Sequence, residues 1–146
     1  MTVAELSELA EHASPEAVAL ARAVLEQDLA DRAWAEQVGT ALAQRDVARL
    51  LGKTEQAVTK DRRLLRLRNR DDRPVYPVMQ FEGRRLVDGV DQVIDILDDA
   101  VHPLTIASWL TGANPALGER RPIDALRDGD REQVITVARR LAHSAG

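Results

Sequence analysis

Only four aromatic side chains, Trp34, Tyr76, Phe81 and Trp109, occur in this chain of 146 residues. Its core must therefore rest on Leu, Val, Ile and Ala, which favours packed helices. With 45% hydrophobic and 30% charged residues the chain is globular and not disordered. It has no cysteine, which excludes disulfide frameworks, cysteine zinc sites and thiol catalysis. No apolar run approaches the roughly 20 residues that cross a membrane. The start, Met1-Thr2-Val3-Ala4-Glu5, lacks the basic flank and apolar centre of a signal peptide. A soluble cytoplasmic protein with no membrane partner is expected.

The net charge of −4 disguises a dipolar layout. Residues 1–43 carry 2 basic and 8 acidic side chains, residues 44–73 carry 10 and 5, and residues 74–146 carry 8 and 11. Half of the Lys and Arg thus falls in about a fifth of the chain, the usual trace of a basic contact surface on an acidic body.

Thr2 and Glu5 have the form of a capping box, and Leu6 and Leu9 begin an apolar face, which predicts a helix over about 2–12. Ser14-Pro15-Glu16 is a second start signal, followed by Val18, Ala21, Leu25 and Leu29 to about Ala30, with Trp34 and Val38 extending it. This acidic segment needs something to pack against, either as a helical cap on the domain or as a dimer contact. Gly39 ends the pattern. Val87 to Val101 shows a stripe of Val90, Val93, Ile94, Leu97 and Val101, with Asp88, Asp91, Asp95, Asp98 and Asp99 opposite. Cation ligands converge from a tight loop or several elements, so a helical face of aspartates reads as solvated. His102-Pro103 breaks that helix, and a short one containing Trp109 follows. Pro122 to Leu126 is a helical turn, and a last helix buries Val134, Val137, Ala138 and Leu141.

The basic block carries the chemistry. Arg45 to Leu51 reads as a short helix with Val47, Ala48 and Leu51 inward. Gly52-Lys53 is a break, Thr54 an N-cap, and a second helix is expected to run to about Leu64. Leu65-Arg66-Leu67-Arg68 alternates as a strand does, Asn69 to Arg73 is turn-like, and Val75-Tyr76 returns. Helix, tight turn, helix and basic hairpin are the parts of a helix-turn-helix with a wing. Such a motif needs a small residue in its first helix, Gly at the turn and inward apolar anchors. Ala48, Gly52, Val47, Leu51 and Val58 fill these roles. Gln56 and Thr59 suit base edges, and Lys60, Arg62 and Arg63 reach bases or phosphates. Lys53 and Thr54 lie at the turn, and Arg66, Arg68, Arg70 and Arg73 would follow the backbone as a wing. Two positions depart from the pattern: Lys53 stands where an apolar residue is common, and Asp61 stands at a usual inner anchor. Leu64 or Leu65 is the expected substitute. The bland alternative is a helical hairpin with solvated arginines. His12, His102 and His143 have no partners at ligand or triad spacing, and no Gly-rich phosphate loop follows a strand. Neither an enzyme nor a cofactor nor a metal is expected.

The stretch Asp46-Val47-Ala48-Arg49-Leu50-Leu51-Gly52, then Gln56-Ala57-Val58 and Leu64-Leu65, resembles the DNA-binding half of a known family. Tyr76-Pro77 and Gln80-Phe81 are similar to the passage after its hairpin. Ala107-Ser108-Trp109-Leu110, Asn114-Pro115-Ala116-Leu117-Gly118, Pro122-Ile123-Asp124-Ala125-Leu126 and Gly129-Asp130 resemble its C-terminal half. This is the Xre/MbcA/ParS type of antitoxin, the partner of RES-domain toxins, and the resemblance covers roughly Gly39 to Ala142. It implies a protein that binds and represses its own operator, as a dimer or a larger assembly, and binds an NAD-degrading toxin through its C-terminal domain. The end of such a chain helps close the toxin's active site. Carried here, Arg131 to Gly146 become the plug, with Trp109, Arg139, Arg140, His143 and Gly146 as toxin-binding residues. Trp109 also suits a core anchor, and Arg139 and Arg140 also suit simple charge complementarity at a helix C-terminus.

The expected fold is mainly α. An N-terminal helical segment at 1–38 precedes a helix-turn-helix with basic hairpin at 39–85 and a helical toxin-binding-like domain at 86–146. Duplex operator DNA, a RES-domain toxin and a second copy are the expected partners. A free-standing transcriptional regulator whose C-terminal unit only dimerises is the main alternative. An adaptor whose basic hairpin meets an acidic partner is another.

Overall fold

The computed structural model describes residues 1–145, with the side chains of all of these except 31 and 33–37. Gly146, one of the expected toxin contacts, lies outside the described residues. The chain divides into two compact units, 1–36 and 37–146. Most of the described residues are helical, as the scarcity of aromatic side chains predicts.

The first unit holds helix α1 (Val3–His12) and most of helix α2 (Pro15–Val38). The predicted capping box is present: the Glu5 N–H donates to Thr2 Oγ1 at 3.2 Å, and the Thr2 N–H donates to Glu5 Oε2 at 2.7 Å. Ser14 Oγ accepts the Ala17 N–H at 3.2 Å and starts α2, with Pro15 in the first position, where its missing N–H costs nothing. No residue of 1–30 is buried.

The second unit begins with a strand that has no signature of its own, β1 (Ala41–Ala43). Helices α3 (Gln44–Leu51) and α4 (Glu55–Lys60) follow, then strands β2 (Leu67–Arg68) and β3 (Pro74–Pro77). The three strands form an antiparallel sheet in the order β1-β3-β2, with Leu42 opposite Tyr76 and Leu67 opposite Val75. Ala41-Leu42-Ala43 lacks the β-branched and alternating residues that announce a strand; pairing to β3 makes it one. A 3-10 turn (Val78–Gln80) leads to a second hairpin, β4 (Phe81–Glu82) and β5 (Arg85–Leu86). Neither β1 nor this hairpin is visible in the periodicity.

Helix α5 (Val90–Leu97) begins three residues later than the apolar stripe predicts. Val87 is buried, but its N–H donates to the Gln80 carbonyl at 2.7 Å, so it belongs to the extended chain before the helix. Helices α6 (Pro103–Thr111), α7 (Pro122–Arg127) and α8 (Arg131–Ala145) complete the unit, with α5 packed on α8 and α7 touching both α6 and α8. Gly89 precedes α5 at φ +94°, and a Cβ there would lie 2.8 Å from Leu126 Cδ2 and 2.9 Å from Arg131 Cγ. Only glycine lets these three elements approach so closely.

Val90, Val93, Ile94, Leu97, Ile106, Leu110, Leu117, Ile123 and Val134 are among the buried side chains of the helical half. Each such side chain contributes about 1.5–3 kcal/mol relative to exposure. Two expectations are corrected here. Trp109 is only half-buried, and Ile106, Ala107 and Leu110 are the core residues of α6. On α8, Val137 and Leu141 are likewise half-buried, and Ile135 joins Val134 and Ala138 inside. The aspartates of the α5 region are exposed or half-exposed, and no metal-holding cluster occurs among the described residues.

Candidate nucleic-acid interface

Helix α3 ends because Gly52 adopts the left-handed conformation, φ 64°, and the Lys53 N–H turns back to the Ala48 carbonyl at 2.9 Å. Thr54 then caps α4 by accepting the Ala57 N–H at 3.1 Å. Val47, Ala48 and Val58 are buried with Leu64, Tyr76 and Phe81, and Leu42, Leu50, Leu51 and Leu86 pack around them. This is the core that thrusts α4 outward. Leu64, 6% exposed, takes the inner-anchor role that Asp61 cannot fill.

The second helix does not run to Leu64. It stops at Lys60 because Asp61 uses its side chain to redirect the backbone: Oδ1 accepts the Arg63 N–H at 3.0 Å, which removes that donor from the helix ladder. The same carboxylate accepts Arg63 Nε at 3.0 Å and Nη2 at 2.8 Å, and Lys53 Nζ at 3.2 Å. The two departures from the helix-turn-helix pattern, Lys53 and Asp61, are therefore one ion pair. The Arg63 guanidinium beside it holds the Asp61 carboxyl well below the usual carboxylate range, against the opposing effect of burial. Arg63 is correspondingly not the free cation that the sequence promises.

The other candidates divide by occupation. Gln56, Lys60 and Arg62 are exposed, with no side-chain partner among the described residues. The Thr59 hydroxyl donates to the Glu55 carbonyl at 3.0 Å. Arg66 Nη1 donates to the Thr59 carbonyl at 2.8 Å and so closes the C-terminal end of α4. In the wing, Arg68 Nη1 donates to the Asp72 carbonyl at 2.9 Å, while Asn69 Oδ1 accepts the N–H groups of Asp71 and Arg73. Arg66, Arg68, Arg70 and Arg73 are all exposed, so the wing turn is braced and its guanidinium surfaces face water. The β-strand is shorter than the Leu65–Arg68 alternation implies, because Leu64 and Leu65 are buried in succession.

Gln80 explains that break in alternation. It is the one buried polar side chain among the described residues, with Oε1 accepting the Leu65 N–H at 2.7 Å and Nε2 donating to the Leu65 and Pro77 carbonyls at 3.0 Å each. Its amide stands in for a strand partner and pins the segment after α4 to the exit of the wing. Burial pushes the Tyr76 hydroxyl up from its usual pKa, and that hydroxyl donates to Gln44 Oε1 at 3.2 Å, joining β3 to the start of α3. In the sequence Gln80 stands out only within the resemblance. A glutamine inside the apolar run Val78-Met79-Gln80-Phe81 was the available signal. Arg45 and Arg49 on α3 and Arg84 and Arg85 on the second hairpin are further exposed cations absent from the expected set.

In the helical half, Arg139, Arg140 and His143 are exposed on the last turns of α8. Their spacing of three and four residues keeps both arginines close to His143 on the helix surface. The loop before α7 is fixed by Arg120, whose Nη1 lies 2.6 Å from Asp130 Oδ2 and 3.2 Å from Asp128 Oδ2. Arg127 Nη2 donates to the Met79 carbonyl at 2.6 Å, tying α7 to the turn after the wing. Among the described residues no helix is long and apolar enough to cross a membrane.

No family model matches the chain, and no curated protein does either. Among solved structures it is similar to the NMR structure of Rv2175c, at 25% identity over 70% of this chain and 81% of that one, with a TM-score of 0.60. The two share a fold. It is also similar, at 19% identity over 77% of this chain and 90% of that one, to a chain in the crystal structure of the M. tuberculosis MbcT-MbcA toxin-antitoxin complex. The TM-score there is 0.38, below the level of a shared fold.

Proposed function

We propose that this protein is a DNA-binding antitoxin that represses its own operon and neutralises a RES-type, NAD-degrading toxin by direct binding. One observation carries the reading. A helix-turn-helix core built on Val47, Ala48, Val58 and Leu64 leaves Gln56, Lys60 and Arg62 exposed and unpaired, beside a wing of exposed arginines. Helix α4 spans about 9 Å at 1.5 Å per residue, short enough for its exposed face to lie within the roughly 12 Å width of the major groove. Gln56 and Thr59 read base edges, while Lys60, Arg62 and the wing arginines neutralise phosphates. A homodimer presents two such helices to two half-sites of an operator.

The toxin-binding half of the proposal rests on the C-terminal residues that resemble antitoxins of the Xre/MbcA/ParS type. In this reading α8 enters the toxin, with Arg139, Arg140, His143 and Gly146 at the contact and half-exposed Trp109 on α6 as a further one. The protein itself performs no catalysis in this role.

Anisotropy titration of a labelled duplex from upstream of its own gene tests the first half. The double change Lys60→Ala with Arg62→Ala should weaken binding at least tenfold, about 1.4 kcal/mol, with the thermal transition unchanged. Equal affinity would remove α4 from the interface. Co-expression with the product of the adjacent reading frame tests the second half. NAD should be preserved by the full chain and lost when residues 141–146 are removed; preservation by the shortened chain would sink the plug.

A further inference from the structure

We infer that a cleft between the end of α4 and the α5–α6 corner binds a small organic monoanion, a carboxylate on an apolar body, in competition with duplex DNA. The competition rests on the proposed function; the binding itself does not.

The cleft lies wholly within the second unit and has a volume of about 390 Å³. Small-molecule sites occupy about 300–1,000 Å³. One wall is the segment that leaves α4, with Thr59, Arg62 and Arg66, and the other is Asp98 and Pro103 at the corner between α5 and α6. Leu64 and Leu65 from the first wall and Ile94 and Ile106 from the second are buried, so they form an apolar floor. The helix-turn-helix half and the helical half meet there, and both contribute to the lining.

The rim is polar and its charges do not cancel. Arg62 is exposed, with no side-chain partner among the described residues. Arg66 spends Nη1 on the Thr59 carbonyl at 2.8 Å, which holds its guanidinium in place and leaves further N–H donors for a ligand. Asp61 also lines the cleft, but Arg63 and Lys53 already occupy its carboxylate. Asp98, exposed on the other wall, is the only other carboxylate in the lining among the described residues. Two guanidiniums against one uncompensated carboxylate leave a surplus of one positive charge.

These features select the chemistry of the occupant. A carboxylate matches the flat donor fork of a guanidinium. An apolar body covers Leu65, Ile94 and Ile106, and beside such a low-dielectric surface an ion pair is stronger than in open water. A dianion such as phosphate finds one surplus charge for its two, with Asp98 repelling the second. A neutral apolar molecule leaves Arg62 unpaired, and a cation meets two guanidiniums. The consequence for DNA follows from the same donors. Arg62 and Arg66 cannot hold a bound carboxylate and a DNA phosphate together, so ligand and duplex exclude each other and the cleft acts as an inducer site.

Methyl NMR of the full chain, titrated with 2-naphthoate as the probe, tests the site without DNA. The methyl groups of Leu64, Leu65, Ile94 and Ile106 should shift together and saturate, with a Kd of about 1 mM or tighter. Acetate and inorganic phosphate at the same ionic strength should leave them in place. Arg62→Gln should weaken binding about threefold or more, with the thermal transition unmoved. Asp98→Asn should tighten it about threefold or more, a gain that a merely structural aspartate would not give. Saturating naphthoate should weaken duplex binding about threefold or more in anisotropy titrations at fixed ionic strength. Unshifted methyl groups overturn the inference. So do equal shifts with phosphate, which mark an adventitious ion only, and saturation that leaves duplex affinity unchanged. A protein that binds no duplex overturns the competition together with the proposed function, and the methyl shifts then decide the site by themselves.

Discussion

Thr2 and Thr54 make the same bond in two contrasting settings. Each hydroxyl accepts a backbone N–H three residues on, at 3.2 Å in α1 and 3.1 Å in α4. Around Thr54 the helix is backed by Val47, Val58 and Leu64; around Thr2 nothing is buried. Local signals start both helices equally well, and only burial makes one of them part of a cooperative unit. The acidic first unit and the second thus separate two properties that most sequences combine: the instruction to be helical and the surface that makes helicity stable.

The contrast can be broken first in the core. Leu110→Ala, at a fully buried position of α6, should cost about 2–5 kcal/mol by chemical denaturation. Leu29→Ala, 66% exposed on α2, should change that same transition by less than about 0.5 kcal/mol in dilute protein. Comparable losses would mean that the two regions unfold as one. Gln80→Ala should follow closely, because each buried group left without its partner costs about 1–3 kcal/mol and the Leu65 N–H is among them. Amide exchange at Leu65 would accelerate with it. Gly89→Ala forces a side chain into a left-handed backbone and onto Leu126, and should cost about 1–3 kcal/mol in thermal stability. The capping pair sharpens the comparison most finely. Thr54→Ala should lower the global transition by about 1 kcal/mol, whereas Thr2→Ala should fray α1 in exchange measurements and leave the transition unmoved.

Much of the fold is legible because its signals are local. Pro15, Gly52, Thr54 and Pro103 act on their own backbone, and each begins or ends a helix where the sequence places it. What escaped depends on partners distant in the chain. β1 exists through pairing with β3, and Leu65 stays out of β2, which starts at Leu67, because its N–H is taken by an amide fifteen residues away. For the candidate site, the sequence indicated which side chains are exposed but not which are already occupied. Exposed Lys60 and Arg62 match expectation, while Arg63 is committed to Asp61 two residues before it. That carboxyl is held down by its cations, so it stabilises the fold above the unfolded carboxylate pKa of about 3.9. The contribution is lost only as the pH falls through the lower folded value. DNA affinity between pH 6 and 8 should therefore show no step from Asp61. Asp61→Asn, by releasing Lys53 and Arg63, should steepen the salt dependence of binding.

On the proposed function the exposed cations of α4 and the wing, and not exposed basic residues in general, meet duplex DNA. This is tested most directly by the slope of log affinity against log salt concentration for the upstream duplex. Arg68→Ala in the wing should reduce that slope by about 1, the release of one phosphate contact. Arg139→Ala and Arg140→Ala on α8 should leave it unchanged. Equal slopes for all the variants, or a reduction confined to α8, would remove α4 and the wing from the DNA contact.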